Sequence, residues 1–253
     1  MSEFLAKRKR ELSERVPEIV ASRFNVMRGA GRVEIMQEAI VPLALDIMSI
    51  IVGLNVSTAN CQSVSAAFDK LININKRRRI AADMATLKKA IESQLGPQAS
   101  QEDIGLRLAL LVLGRDPLVG TLGESLYRLL ANNPDQYLSD IGYPEIPPET
   151  GVPVIERIVV TPFQFAGCHF EAGDRLRIYL QSFAYARDHR TRASFFGGGA
   201  HTCLGRPLSI EVWKAITGLL SAVRLRTTVL SYARRDSDYV FVCPEHLEVE
   251  LRA

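Results

Sequence analysis

The stretch FGGGAHTCLG at residues 196–205 carries the most information in this sequence. Three consecutive glycines allow backbone conformations that other residues avoid, and they let the chain approach a flat ligand closely. Cys203 follows the glycines and precedes an apolar segment with helical spacing, where helix-terminal N–H groups favour a thiolate. Gly205 would let the backbone pass the face of such a ligand. The pattern indicates that the Cys203 sulfur binds a flat group.

Two other interpretations of the loop remain open at this point. Three glycines can form an ordinary turn, and glycines ahead of a helix can hold a phosphate group. A phosphate loop requires lysine followed by serine or threonine near the helix start, whereas residues 202–207 read TCLGRP. The other cysteines, Cys61, Cys168 and Cys243, are far apart and lack zinc-ligand spacing, so we expect small buried side chains there.

The composition indicates a globular protein with a sizeable core. Of 253 residues, 47% are hydrophobic and 23% are charged, and the formal net charge is +3. The basic residues are scattered apart from the run at 76–79, which argues against nucleic acid as a partner. No signal peptide is evident, and the most apolar run, 40–54, contains Asp46. We therefore expect a cytoplasmic protein without a membrane span.

Helical patterns fill the first half of the chain and strand patterns appear later. We predict helices over 8–23, over 33–54 with a kink or a boundary at Pro42, within 63–95, and from an N-cap at Ser100 to 130. Prolines exclude a helix from 143–153; short strands are expected within 154–179, a helix over 209–223, and strands at 240–242 and 247–251. This order predicts a mainly α fold with a small β region, of the α+β class, in a single domain over 1–253.

The loop is similar, position for position, to the haem-binding signature of the cytochrome P450 family: Phe, two positions, Gly, three positions, Cys, one position, Gly. Phe196, Gly199, Cys203 and Gly205 occupy the four fixed positions. The resemblance implies the cytochrome P450 fold and a haem b whose iron has the Cys203 thiolate as its axial ligand. It further implies that Phe196 packs near the sulfur and that His201 reaches a haem propionate.

Two further segments resemble the same family. Residues 102–136 resemble its long helix over the distal face of the haem, where Gly114 would leave room for oxygen and Asp116 would be the acid of the proton-delivery pair. The hydroxyl partner is replaced by Pro117, which also removes a helix hydrogen bond. A solvated helix residue is the alternative interpretation of Asp116. The segment 154–188 resembles the small sheet region, and it implies that Arg157 pairs with a haem propionate.

The chain also departs from the family pattern. By comparison with the family pattern, we expect the N-terminal region that carries a small sheet and a substrate-contacting loop to have no counterpart in residues 1–253, and the fold to be incomplete there. Glu145 stands at the glutamate of the family's Glu-x-x-Arg helix, but Pro148 replaces the arginine. The stretch between Asp188 and Phe195 is too short for the family's meander, so the ion pair and the segment that it anchors are absent together.

The function that the resemblance implies is a haem-thiolate monooxygenase that takes electrons from a ferredoxin or a similar donor. Arg206 and Lys214 are candidate docking residues, with simple solvated charges as the alternative. Leu110, Leu113 and Val119 offer few polar anchors, so a small apolar substrate is expected. The general resemblance to bacterial family members suggests a terpenoid, of the kind handled by diterpenoid operons in rhizobia. The alternatives are peroxide use, isomerisation or dehydration on the same haem, or a degenerate remnant without catalysis.

Overall fold

The structure, a computed structural model, describes residues 2–55, 67–68, 72–184, 186, 188–235 and 240–253. Most of the regular structure is helical and the strands are short, which confirms the expected α+β class. The helices are α1 (Ser2–Arg23), α2 (Val41–Val52), α3 (Ile74–Leu95), α4 (Gln101–Asn132), α5 (Gln181–Ala184), α6 (His189–Arg192) and α7 (Arg206–Leu220). The strands are β1 (Gly31–Glu34), β2 (Gln136–Tyr137), β3 (Val154–Ile158), β4 (Phe163–Phe165), β5 (Cys168–Phe170), β6 (Arg175–Tyr179), β7 (Arg226–Arg234) and β8 (Pro244–Arg252).

Helix α4 is the longest element and begins where the sequence predicts. The Ser100 hydroxyl accepts a hydrogen bond from the Asp103 N–H at 3.0 Å, which caps the helix start. Leu122, Leu126 and Leu130 recur every four residues and are fully buried, so one face of the helix lies in the main core. Helices α2 and α3 and the strands β7 and β8 pack around it.

The main sheet has four antiparallel strands in the order β1-β8-β7-β2. Leu247, Val249 and Leu251 alternate along β8 and are buried, as expected for a strand with one face on the core. Val33 of β1 lies opposite Val249 and continues this apolar face. The pairs β3–β6 and β4–β5 form two smaller sheets apart from it.

A buried polar cluster joins α4 to the main sheet. The carboxylate of Glu124, which is only 3% exposed, accepts a hydrogen bond from Nε of Arg234 at 2.8 Å and another from the hydroxyl of Tyr232. Tyr127 stacks on Tyr232 with 3.6 Å between ring centroids. Burial and the adjacent Glu124 raise the pKa of Tyr232 above its usual value, so the phenol remains a hydrogen-bond donor.

Helix α7 follows the glycine-rich loop and packs against α1. Trp213 is fully buried, and its Nε1 donates a hydrogen bond to the carbonyl oxygen of Pro144 at 2.8 Å. This bond ties the proline-rich segment to the helix, because an indole N–H that is buried needs an acceptor. Pro207 lies in the first turn of α7, where a missing N–H costs no helix hydrogen bond.

The structure differs from several of the secondary-structure predictions. The helix predicted over 33–54 is instead the end of β1, a π-helical turn at Met36–Ile40 and α2, because the sheet recruits Val33. Pro42 lies in the first turn of α2, so the boundary and not the kink is the alternative that the structure confirms. No strand forms at 240–242. Strand β7 was not predicted, because Ser231 interrupts its alternation of apolar residues at a register shift in its pairing with β8.

No helix in the described part of the chain has the length and apolarity to cross a membrane.

Candidate functional site

The glycine-rich loop consists of two successive tight turns. Its first turn, Ala193–Phe196, ends at Gly197, whose N–H donates to the carbonyl oxygen of Ser194 at 2.9 Å. The second turn is Gly199–His201, after which the N–H of Thr202 donates to the carbonyl oxygen of Gly199 at 3.2 Å. Gly197 and Gly199 have φ values of +83° and +58°, in the region that glycine favours. The glycines are therefore required by the backbone path of the loop.

Hydrogen bonds hold the backbone of Cys203 in place, while its side chain is exposed. Its N–H donates to the carbonyl oxygen of Phe196 at 2.7 Å, and its own carbonyl accepts from the N–H of Arg206 at 3.2 Å. The residue thus lies between the first turn of the loop and the first turn of α7. A Cβ placed on Gly205 would lie 3.7 Å from the Cys203 sulfur, so the glycine leaves that side of the sulfur open. The thiol is free and exposed.

Phe196 anchors the loop to a small second core. Its ring is buried and lies against that of Phe195, with 4.2 Å between centroids and a 31° angle between the planes. Ile146, Leu180 and Ala193 complete the buried part of this cluster. The carbonyl of the same residue holds Cys203, so the buried ring and the exposed sulfur are joined by one backbone hydrogen bond.

We expect the loop glycines to differ in how much they contribute to stability. Replacing Gly197 by alanine places a Cβ against the carbonyl oxygen of His201 at a positive φ, so we expect a loss of about 2 kcal/mol. The matched control is Gly199→Ala, where φ is also positive but the space is open, with an expected loss of about 1 kcal/mol. Urea unfolding measures both, and equal losses would contradict the loop geometry.

The two residues predicted to contact haem propionates are both exposed. His201 lies at the end of the second loop turn, two residues before Cys203. Arg157 lies on β3, and its guanidinium donates to the carbonyl oxygen of the neighbouring Glu156 at 2.8 Å. Neither side chain is buried in the core, so each is accessible to a ligand. Their assignment to propionates stays a prediction.

Asp116 is not a solvated helix residue. It is 2% exposed, and its two carboxylate oxygens face Arg115 at 2.9 Å and Arg235 at 3.4 Å. The alternative of a solvated carboxylate is therefore wrong, because the group is buried in an ion-pair network. Helix α4 continues through Pro117 without interruption.

Gly114 faces a neighbouring helix. A Cβ on it would lie 3.0 Å from the terminal methyl of Met48, a residue of α2. The absence of a side chain therefore permits close packing of α4 on α2. The role of Gly114 in leaving room for oxygen stays a prediction that this packing does not support.

A buried carboxylate that the sequence had not singled out ties the proline-rich segment to α4. Glu149 is 7% exposed, and its side chain contacts Arg128 of α4 and accepts from Nε2 of Gln181 at 3.2 Å. Its backbone N–H donates to the hydroxyl of Ser125 at 3.1 Å. Glu145, by contrast, is exposed. The signal that was available is an acid within a segment whose prolines preclude a helix, but its partners are distant in sequence.

We expect the Glu149→Gln variant to lose about 2 kcal/mol of unfolding free energy, since a charge-assisted contact to Arg128 is removed at a buried position. The exposed Glu145→Gln variant is the control and should change the same quantity by less than about 0.5 kcal/mol. Chemical denaturation of the two variants beside the wild type makes the comparison. If the two substitutions had the same effect, Glu149 would not be the anchor of this segment.

Close backbone packing seals the surface of α4 beyond Pro117. A Cβ on Gly151 would collide with the carbonyl oxygen of Pro117, and the Gly151 N–H donates to the hydroxyl of Thr121 at 2.9 Å. The Val242 N–H in turn donates to the carbonyl oxygen of Gly151 at 3.0 Å. Segments before β3 and before β8 thus lie directly on this part of the helix.

Cys203 suits a metal ion that is already held by a cofactor and needs only one ligand from the protein. Among the described residues, no three His, Cys, Asp or Glu side chains are grouped so that they could hold a metal ion. Cys203 offers one accessible sulfur in a loop whose glycines leave its surroundings open. A porphyrin iron needs one such axial thiolate from the protein. Cys168 is also exposed, contrary to expectation, whereas Cys243 is buried as expected and Cys61 lies outside the described residues.

Sequence comparison finds one curated relative with clear similarity. The chain is 26% identical over 184 residues to the putative cytochrome P450 YjiB of Bacillus subtilis (strain 168). The match covers 64% of this chain and 46% of the relative, so the chain spans about half of that protein's length. No protein-family model matches the chain.

Solved structures with the same fold cover nearly the whole chain. The cytochrome P450 enzyme CYP109B1 from Bacillus subtilis superposes with a TM-score of 0.74 at 20% identity, over 98% of this chain and 80% of that one. P450 RauA, complexed with a biosynthetic intermediate of aurachin RE, gives a TM-score of 0.76 at 15% identity, over 100% of this chain and 74% of that one. At these identities the likeness establishes the fold.

Proposed function

We propose that this chain is a member of the cytochrome P450 family, that it holds haem b through the Cys203 thiolate, and that it acts as a haem-thiolate monooxygenase. The observation that carries the proposal is the exposed sulfur of Cys203, fixed by backbone hydrogen bonds between a glycine-rich turn and the start of α7. The family signature in the same ten residues supports the identity of the cofactor. The chain matches about half of its curated relative, so the activity of the whole protein comes to this chain only as part of the proposal.

The chain's own residues divide the task of holding the cofactor. Cys203 would supply the axial sulfur, and Gly205 would allow the flat group to approach it. His201 and Arg157 would contact the propionates, for which a guanidinium is well suited by its paired donors. Phe196 keeps the loop attached to the second core. When bound, a thiolate-ligated haem supplies dioxygen chemistry, because the sulfur pushes electron density towards the bond that must break.

Proton delivery is the step at which this chain departs from the family pattern. Asp116 lies between Arg115 and Arg235, which hold its carboxylate in ion pairs. Pro117 has no hydroxyl, and the Thr121 hydroxyl accepts from the backbone of Gly151. These contacts favour a second candidate, a peroxide-driven reaction on the same haem, since peroxide brings its own protons. Isomerisation, dehydration and a non-catalytic remnant have no separate observation in their favour.

The proposed partners are a small substrate and a ferredoxin-type electron donor. Lys214 is exposed on α7, and Arg206 begins that helix close to Cys203, so both are accessible to an acidic protein surface.

The proposed substrate is a small molecule, and terpenoids are the first class to test. Leu110 packs against the main core, Leu113 is exposed and Val119 is buried, so these three residues do not form one apolar wall.

Turnover with two oxidant systems tests the function. Haem-loaded protein is supplied with a small terpenoid and either a ferredoxin, its reductase and NADPH, or hydrogen peroxide alone. Product with the ferredoxin system supports the monooxygenase, and product with peroxide only supports the second candidate. Reductant consumption at the uncoupled background with no product in either arm, over a panel of small substrates, would contradict both.

A further inference from the structure

Three polar side chains from adjacent strands of the main sheet meet on the face that points away from the core. Glu34 lies on β1, His246 on β8 and Ser231 on β7, and these strands are neighbours in the order β1-β8-β7. Leu247 and Val249 of β8 are buried in the core, so the residues that alternate with them, His246 included, point outward. The glycine-rich loop and β3, which carry the residues proposed to hold haem, contribute none of the three.

The hydroxyl of Ser231 lies close to an imidazole nitrogen. Its Oγ is 2.6 Å from Nε2 of His246, which is the distance expected between a serine nucleophile and its base. In the register of β7 and β8, Ser231 lies opposite Glu248. His246 lies opposite Ala233, so it is the diagonal neighbour of the serine. A register shift between Val229 and Ser231 interrupts the strand here, and such distortions re-aim a side chain.

Glu34 is held so that it faces the other nitrogen of the imidazole. Its Oε1 lies 3.3 Å from Nδ1 of His246. The same oxygen accepts a hydrogen bond from the N–H of Leu247 at 2.8 Å, and Oε2 accepts one from the N–H of Gln37 at 2.5 Å. Two main-chain donors therefore fix the carboxylate. A carboxylate at Nδ1 favours the tautomer with the proton on that nitrogen, which leaves Nε2 free to accept the serine proton.

A second carboxylate lies near the same hydroxyl. Oε2 of Glu248 is 3.5 Å from Oγ of Ser231. A hydroxyl has a single proton, and the shorter contact to His246 is the stronger of the two. The negative charge of Glu248 beside the serine disfavours an anionic substrate. Ser231 is partly exposed, and the neighbouring Leu230 is 39% exposed, so a ligand from solvent meets the hydroxyl beside an apolar side chain.

We propose that Ser231, His246 and Glu34 form a nucleophilic site that hydrolyses small neutral esters. Ser231 is the nucleophile and His246 is its base. Glu34 is a positioning residue, because it acts through the imidazole and does not contact the ester. Leu230 supplies an apolar contact for a short acyl chain. Water reaches this partly exposed site, so slow turnover of small activated esters is expected.

The reaction balances without an oxidant or a reductant. Oγ of Ser231 bonds to the carbonyl carbon of the ester while Nε2 of His246 takes the hydroxyl proton. The bond from that carbon to the alcohol oxygen then breaks, and the oxygen leaves with the proton from His246. Water attacks the acyl-serine with His246 again as base, which releases the carboxylic acid and restores the hydroxyl. One ester and one water thus give one acid and one alcohol.

Covalent labelling with a small alkyl fluorophosphonate tests the site on the full chain, with and without haem. The serine oxygen bonds to phosphorus, and fluoride leaves together with the proton that His246 accepted. We expect peptide mass spectrometry to find the adduct at Ser231. Ser221 is the internal control and should stay unlabelled, because it is exposed but its hydroxyl donates to the carbonyl oxygen of Thr217 at 2.7 Å. Folded protein without an adduct at Ser231, or with equal labelling of both serines, would overturn the proposal.

Substitutions of the neighbouring residues separate a nucleophilic site from a hydrogen-bond network that only stabilises the sheet. His246→Gln should be labelled at least about 100-fold more slowly, since a general base contributes on that order. Glu34→Gln should lower the limiting labelling rate by about tenfold and leave the half-saturating reagent concentration unchanged. Glu248→Gln should be labelled at least as fast as the wild type, because the competing carboxylate is gone. The wild-type rate in His246→Gln, or a loss of labelling in folded Glu248→Gln, would contradict these roles.

Ester hydrolysis measures whether the acyl-serine turns over. The probe is p-nitrophenyl acetate, and the wild type is compared with Ser231→Ala so that reaction at the exposed thiols cancels. We expect the difference between the two proteins to exceed one nitrophenolate per chain. Equal rates in the two folded proteins would overturn the proposed hydrolysis.

Discussion

Replacing Cys203 by alanine should abolish the absorption band of thiolate-ligated haem in protein that has been reconstituted, reduced and exposed to carbon monoxide. The sulfur is the axial donor in this account, and no other cysteine lies in the loop. Alanine keeps the backbone hydrogen bonds to Phe196 and Arg206, because they involve only main-chain atoms. The expected change is therefore complete loss of the band with little loss of helical structure by circular dichroism.

Cys168 provides the matched control, because it is the other free cysteine that is exposed in the described residues. It lies on β5, in a two-stranded sheet separate from the loop. The Cys168→Ala variant should retain the thiolate band at wild-type intensity. If Cys168→Ala lost the band and Cys203→Ala retained it, the site would have been assigned to the wrong sulfur.

Replacing Asp116 by alanine should lower the free energy of unfolding by about 4 kcal/mol, because the guanidinium of Arg115 is then buried without its carboxylate. The effect comes from desolvation rather than from a lost side-chain contact alone. Urea unfolding followed by circular dichroism measures it. The same variant separates a structural role from proton delivery, since the stability loss is expected without haem as well as with it.

A second substitution tests the reason for that loss. The double variant Arg115→Met/Asp116→Ala removes the buried cation as well, and it should regain at least about 2 kcal/mol relative to Asp116→Ala. The remaining partner, Arg235, is more exposed and can turn towards solvent. A loss of less than about 1 kcal/mol in Asp116→Ala would show that the ion-pair network contributes little, and it would return the proton-delivery role to consideration.

The sequence predicts this protein best where a feature is local. The loop at 196–205 and the cap at Ser100 depend on neighbouring residues, and the structure contains the turns and the helix start that these patterns indicate. The π-helical turn before Pro42 and the pairing of Val33 in a sheet depend on a strand more than 200 positions away, so the helical pattern alone was misleading.

The burial of Asp116 and Glu149 could not be predicted either, because it also depends on residues that are distant in the sequence. The sequence predicts Asp116 to be a helix residue, but its burial depends on Arg235, which lies far along the chain. The local signal at Glu149 is only an acid in a proline-rich segment, whereas the contacts that make it the anchor of this segment come from the distant residues Arg128 and Gln181. Cys168 was expected to be buried because free cysteines usually are, but it lies on a two-stranded sheet and its side chain is exposed.

The most direct test of the central claim is the spectrum of the wild-type protein, titrated with haem, reduced and treated with carbon monoxide. The Cys203 assignment predicts one haem per chain and the red-shifted Soret band that thiolate ligation produces. A spectrum of histidine-ligated or free haem at full occupancy, in protein whose helical content is intact, would contradict it.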